Sequence, residues 1–145
     1  MNFQKIPWRA DASIGAMNDR SQNTMPAALG IVFTRIGEDF LQATMPVGPI
    51  TCQPMRLLHG GASVVLAETL ASVAANCCLD DHHAAVGQEI NANHLRPALE
   101  GELVTGTTRL LHAGARSQVW SIDITNARGQ TVCVSRITLA IINRR

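Results

Sequence analysis

Ala62-Ser63-Val64-Val65-Leu66-Ala67-Glu68-Thr69-Leu70-Ala71-Ser72-Val73-Ala74-Ala75-Asn76-Cys77-Cys78-Leu79 is the stretch on which the fold turns. It holds no proline or glycine and is dominated by Ala, Leu and Val, which predicts one helix of about 27 Å at 1.5 Å per residue. Such a helix is apolar on most sides, and a helix apolar nearly all round is enclosed by the rest of its domain. The segments around it are suited to enclosing it. Residues 29–36 and 40–47 read as a hairpin turning at Gly37-Glu38-Asp39, and a loop marked by Pro46, Gly48, Pro49 and Pro54 follows. Beyond the helix, β-rich segments occur near 85–95, 102–111, 118–125 and 131–142. In the third of these Trp120, Ile122 and Ile124 alternate with Val119, Ser121, Asp123 and Thr125, so one face is buried and the other less so. An α+β domain follows: an antiparallel sheet curled around one long central helix.

The 145 residues predict a single domain spanning 1–145, with residues 1–26 as an irregular segment. That segment is expected to carry one short helix around 10–18, to lie over the surface or fray, and to take no part in the chemistry. Twelve Lys+Arg against eleven Asp+Glu leave a net charge of +1, and three Phe, two Trp and no Tyr offer few stacking platforms. Neither nucleic acid nor an anionic membrane is an expected partner. Cys52, Cys77, Cys78 and Cys133 show no C-x-x-C spacing, and the start of the chain has no apolar core of signal-peptide length. A cytoplasmic protein is expected.

The polar residues of the helix are not scattered. Glu68, Ser72 and Asn76 recur every fourth position with Thr69 beside them, one stripe along one face. A solvated face would account for the stripe, but such faces usually carry several Lys, Arg and Glu, whereas this one has a single charge among small polar groups. A lined groove fits better. Partial desolvation makes a carboxylate a better base, so Glu68 is the candidate catalytic group. His59-Gly60-Gly61 precedes the helix, where free backbone N–H groups and a partial positive charge suit an oxyanion. Glycine there admits a substrate carbonyl close to the backbone. A tight helix start would need the same residues. Asp80, Asp81, His82 and His83 have metal-ligand chemistry but read as a solvated loop, and no metal or cofactor is expected. Cys77 and Cys78 read as small hydrophobes, and no G-x-S-x-G elbow is present.

Leu57-Leu58-His59-Gly60-Gly61-Ala62-Ser63 with Ala67-Glu68, and the later Gly87-Gln88-Glu89-Ile90-Asn91-Ala92-Asn93-His94, resemble the hotdog-fold thioesterases of the PaaI-like group. Within that group the likeness is to the enterobactin-associated proofreading thioesterases and the 1,4-dihydroxy-2-naphthoyl-CoA thioesterases, over about residues 29–142. The resemblance implies a hotdog fold, hydrolysis of acyl- or aroyl-CoA thioesters or of groups misloaded on a carrier protein, and homodimers or dimers of dimers. Sites would lie between subunits. It implies Glu68 as catalytic carboxylate, Gly60 as oxyanion donor, and Gln53 and His59 as groups orienting the thioester carbonyl. Ser72 and His94 would contact the acyl and thioester ends of the substrate. Coenzyme A would meet Val86, Gly87, Arg96, His112, Gly114, Arg116 and Ser117. The departure is Met55-Arg56, where close relatives carry Phe-Gly, so that an aromatic pocket wall becomes a thioether and a permissive glycine a long cation. A hotdog hydratase lacks its Asp/His motif here, and a non-catalytic acyl-thioester-binding module would be expected to lack Glu68.

Overall fold

The computed structural model describes residues 3–144. After two short helices, α1 (Ile14–Ser21) and α2 (Met25–Ala28), come strands β1 (Val32–Ile36) and β2 (Leu41–Pro46), the long helix α3 (Gly60–Asn76), and strands β3 (His83–His94), β4 (Leu103–Ala113), β5 (Ser117–Thr125) and β6 (Thr131–Asn143). The strands form one antiparallel sheet in the order β1-β2-β4-β5-β6-β3, leaving β1 and β3 at its edges. This is the hotdog arrangement, with α3 enclosed by a curved sheet. No helix among the described residues is long and apolar enough to cross a membrane.

The alternation in β5 is realised in full: Gln118, Trp120, Ile122 and Ile124 are buried while the residues between them are half-buried. Their side chains join Leu41, Ala43 and Met45 of β2 and Ile137 and Leu139 of β6 in the core. Helix α3 turns Leu66, Ala67, Leu70, Ala71, Ala74 and Ala75 to that core. Four of those six are alanines, which keep the helix surface low and let the backbone approach the sheet. The approach is close at β4, where a Cβ on Gly106 would fall 2.5 Å from Leu70 Cδ1. Glycine is required there for lack of space.

Three expectations need correction. Helix α3 begins at Gly60 instead of Ala62, because the His59 side chain caps it by accepting from Gly61 N–H. It ends at Asn76, with Cys77 as C-cap, and the sequence Cys77-Cys78-Leu79 forms a turn. The third correction concerns the N-terminal segment, which does not fray over the surface. Ile6 and Met17 are 2% exposed, Trp8 Nε1 donates to Gly37 O at 2.7 Å, and Arg9 reaches Leu79 O and Asp81. Its helix runs over 14–21, capped by Ser13, instead of 10–18. Widely spaced apolar residues, each seated in a different part of the core, left no periodic signal to read.

The loop between β2 and α3 is pinned by Thr51, whose hydroxyl donates to Pro46 O and accepts from Gly48 N–H. At its tip Arg56 takes φ +61°, the left-handed region that favours glycine. Its guanidinium grips both carboxylate oxygens of Glu100, with Nε at 2.7 Å, and its carbonyl accepts from Glu100 N–H. The ion pair offsets the backbone conformation.

Two stability predictions follow from this packing. In urea titrations, Leu70→Ala should cost about 2–5 kcal/mol and Gly106→Ala about 1–3 kcal/mol, whereas losses near zero for both would contradict close packing of α3 on β4. Arg56→Ala removes the ion pair and keeps the strained backbone, whereas Arg56→Gly removes both. Thermal melts should therefore place Arg56→Ala below Arg56→Gly; the reverse order would show that the left-handed backbone at residue 56 carries no strain.

Candidate active site

The start of α3 leaves one donor over. Gly61 N–H is taken by His59 Nδ1 at 2.8 Å, and Ala62 and Ser63 N–H both bond to His59 O. Gly60 N–H has no acceptor among the described residues. Gly60 packs against the imidazole of His94, since a Cβ there would fall 2.8 Å from His94 Nε2. Gln53 stands across the same cleft of about 390 Å³, with Ser63 and Arg96 also in its wall. The Gln53 side-chain oxygen is used by Met55 N–H, which leaves its amide NH₂ as a donor. Two unspent N–H donors on one cleft can stabilise a developing oxyanion. Having given Nδ1 to the cap, His59 offers only its Nε2 edge, and its side chain is outside the lining of this cleft. Met55 is 76% exposed at the loop tip and contributes nothing to the cleft of a single chain.

Two turns along α3, Glu68 is half-buried and its carboxylate has no hydrogen-bond partner among the described residues. It leans on β3, where a Cβ on Gly87 would fall 2.4 Å from Glu68 Oε1. The bare backbone of Gly87 makes room for the carboxylate. A second cleft of about 420 Å³ runs from Glu68 past Thr69, Ser72 and Val73 to Asn76 and Cys77. The stripe is thus a groove wall, as its composition suggested. The opposite wall is Met17, Arg20, Ser21, Thr24 and Pro26, from the segment expected to take no part. Met17, Arg20, Ser21 and Thr24 do recur at helical spacing, a faint signal in a stretch short of apolar residues. Asn76 is also a fastener: its amide donates to Ser72 O and Ala85 O and accepts from Ala85 N–H, tying the end of α3 to β3.

The groups expected to meet coenzyme A fall in two places. His112, Gly114, Arg116 and Ser117 lie together in the β4–β5 hairpin, closed by Gly114 N–H to Ser117 O at 2.9 Å. Ser117 pairs with Ala140, which pairs with Val86, so Val86 and Gly87 lie at the same end of the sheet, two strands away. Arg96 does not join them. It follows the far end of β3, ten residues or about 33 Å from Val86, with Nη1 on Thr131 O.

The remaining reactive side chains have structural uses. Burial pushes the Cys78 thiol up to about 12 and raises Cys77 and Cys133, so none is a ready thiolate. Asp80 accepts from His83 Nδ1 at 2.7 Å and His82 N–H at 2.9 Å, which holds its carboxyl below the usual range. Among the described residues no three His, Cys, Asp or Glu converge as metal ligands.

Comparison with known proteins bears on this geometry. Residues 55–133 match the thioesterase superfamily. The 1,4-dihydroxy-2-naphthoyl-CoA hydrolase of Escherichia coli K12 is 48% identical over 135 residues, 93% of this chain and 98% of the relative. The proofreading thioesterase EntH of Cronobacter sakazakii is 46% identical over 135 residues, again 93% and 98%. The crystal structure of a thioesterase from Haemophilus influenzae superposes with a TM-score of 0.91 at 43% identity, covering 94% of this chain and 95% of that one. The chain belongs to the thioesterase superfamily.

Proposed function

We propose that this thioesterase hydrolyses acyl-CoA thioesters with a preference for aroyl groups, using Glu68 as catalytic carboxylate and Gly60 N–H with the Gln53 amide as oxyanion donors. The observation that carries the reading is the pair of unspent groups on one helix, a carboxylate with no partner and a helix-start N–H with no acceptor. As the thioester carbonyl goes tetrahedral, the donors hold its growing negative charge. Glu68 acts either by attacking the carbonyl carbon or by taking a proton from the attacking water. Ser72 borders the acyl groove, and His94 beside Gly60 flanks the thioester end. The name of the Escherichia coli relative supports an aroyl-CoA substrate. That of the Cronobacter relative supports a second reading, removal of groups misloaded on a carrier protein, which presents the same pantetheine arm.

One chain cannot bring these groups to one carbonyl. Gly60 and Glu68 are eight residues apart, about 12 Å along α3, whereas the reacting atom must lie about 3 Å from both nucleophile and donor. A second copy resolves this. Strand β3 is an open edge, with Glu68 packed at Gly87 and Gly60 at His94. Antiparallel pairing of two β3 edges about a two-fold axis near the middle of the strand sets the His94 end of one copy beside the partner's Gly87 end. Gly60 and Gln53 of one copy then approach Glu68 of the other, and Arg96 comes to the Val86 end of the partner's β3. The coenzyme A set is reunited across the interface, with His112, Gly114, Arg116 and Ser117 of one copy joined by Arg96 of the other. Pairing also covers the exposed edge residues Val86 to Glu89.

The test is steady-state release of free thiol from a panel of benzoyl-, hydroxybenzoyl-, phenylacetyl-, naphthoyl- and straight-chain acyl-CoA thioesters. Wild type should turn over the aroyl members best, and Glu68→Gln should lose about 10²–10⁴-fold in kcat without unfolding. Gly60→Ala keeps the N–H but puts a Cβ where the His94 ring stands, and by displacing the two should lose about 10²-fold. Full activity in Glu68→Gln would overturn the assignment. Turnover confined to carrier-protein thioesters would favour the second reading, and silence on both substrate classes would leave a binding module.

A further inference from the structure

The acyl groove has a charge at each end. Glu68 stands at one end, and at the other, near Asn76 and Cys77, is Arg20, carried on α1. Among the described residues no other charged residue lines this cleft. Arg20 makes no hydrogen bond or ion pair among the described residues, whereas its neighbour Arg9 is held by Asp11 and Asp81. Its charge reaches the far end of α3, where it pulls the Cys77 thiol down against the effect of burial. The wall between the two charges is Thr69, Ser72 and Val73, with Pro26 opposite, which suits the body of an acyl group.

We propose that Arg20 is a specificity-determining residue that binds an anionic group at the distal end of the acyl chain, so that the preferred substrates are thioesters of dicarboxylic acids. The inference rests on the reading of Glu68 as the catalytic end of this groove. From Glu68 to Cys77 is nine residues, about 13 Å along the helix, and the arginine side chain spans part of it. That leaves room for roughly five to seven bonds between the thioester carbonyl and the anion. A planar guanidinium fork binds a carboxylate through two parallel N–H bonds, which a neutral methyl cannot accept. The groove would thus read length and terminal charge together.

The test compares 4-carboxybenzoyl-CoA with 4-methylbenzoyl-CoA, two rigid substrates of the same length and differing in terminal charge. For wild type, kcat/KM should favour the carboxylate by about ten- to a hundredfold. Arg20→Gln should erase that ratio through KM for the charged substrate, and Arg20→Lys should restore part of it. A merely structural role would depress both substrates together and leave the ratio unchanged, and that result overturns the inference while leaving the thioesterase assignment intact. If wild type turns over neither substrate, the wider acyl-CoA panel and the carrier-protein thioesters decide the catalytic reading separately. Equilibrium binding of the same two thioesters then decides this inference, with an Arg20-dependent preference for the carboxylate upholding it and equal affinities overturning it.

Discussion

The distance between α3 and the sheet governs the rest of the structure. Alanines at 67, 71, 74 and 75 and the missing side chain at Gly106 let the helix settle deep against β4 and β5, with Leu66 and Leu70 filling what space remains. That depth fixes two further contacts, Gly60 beneath His94 and Glu68 against Gly87. Each depends on a glycine because polar side-chain atoms occupy the volume a Cβ would take. The same packing that buries the core therefore sets the two polar ends of the proposed site, and a change in helix depth moves both.

Around that helix, polar groups divide into those spent on structure and those left over. Asn76 ties α3 to β3, His59 caps it through Nδ1, the Gln53 oxygen holds the loop at Met55, and Asp80 closes the turn after the helix. Gly60 N–H, the Gln53 amide NH₂ and the Glu68 carboxylate are among the groups left without a partner among the described residues. Buried and half-buried polar groups are ordinarily satisfied, so a set left unpaired on one cleft system suits a substrate. The arrangement at Arg56 is of the opposite kind: a costly backbone conformation held by an ion pair to Glu100.

Much of this was legible in the sequence because it is periodic. The long apolar helix, the alternation of Trp120, Ile122 and Ile124, and the turn residues between strands led to the α+β fold, and the four-residue recurrence of Glu68, Ser72 and Asn76 led to a groove. What stayed hidden is not periodic. Ile6, Trp8 and Met17 are anchored singly, so the N-terminal segment looked irregular although it forms the facing wall of the groove. The two extra residues at the start of α3 depend on a histidine cap, a weaker signal than Ser or Asp. The structural use of Asn76 depends on Ala85, nine residues on, and the separation of Arg96 from the β4–β5 hairpin depends on strand order, which no local pattern encodes.

The central claim is that Glu68 of one chain works with Gln53 and Gly60 of another, and subunit mixing tests it most directly. Glu68→Gln and Gln53→Ala proteins, each impaired alone, are unfolded together, refolded at equal concentration and assayed, with mixed species confirmed by native mass spectrometry. Random pairing of two-fold dimers with shared sites leaves about a quarter of the sites intact, so turnover should recover to about a quarter of wild type. Mixed dimers with no recovery would mean that each site is complete within one chain, and would contradict the account.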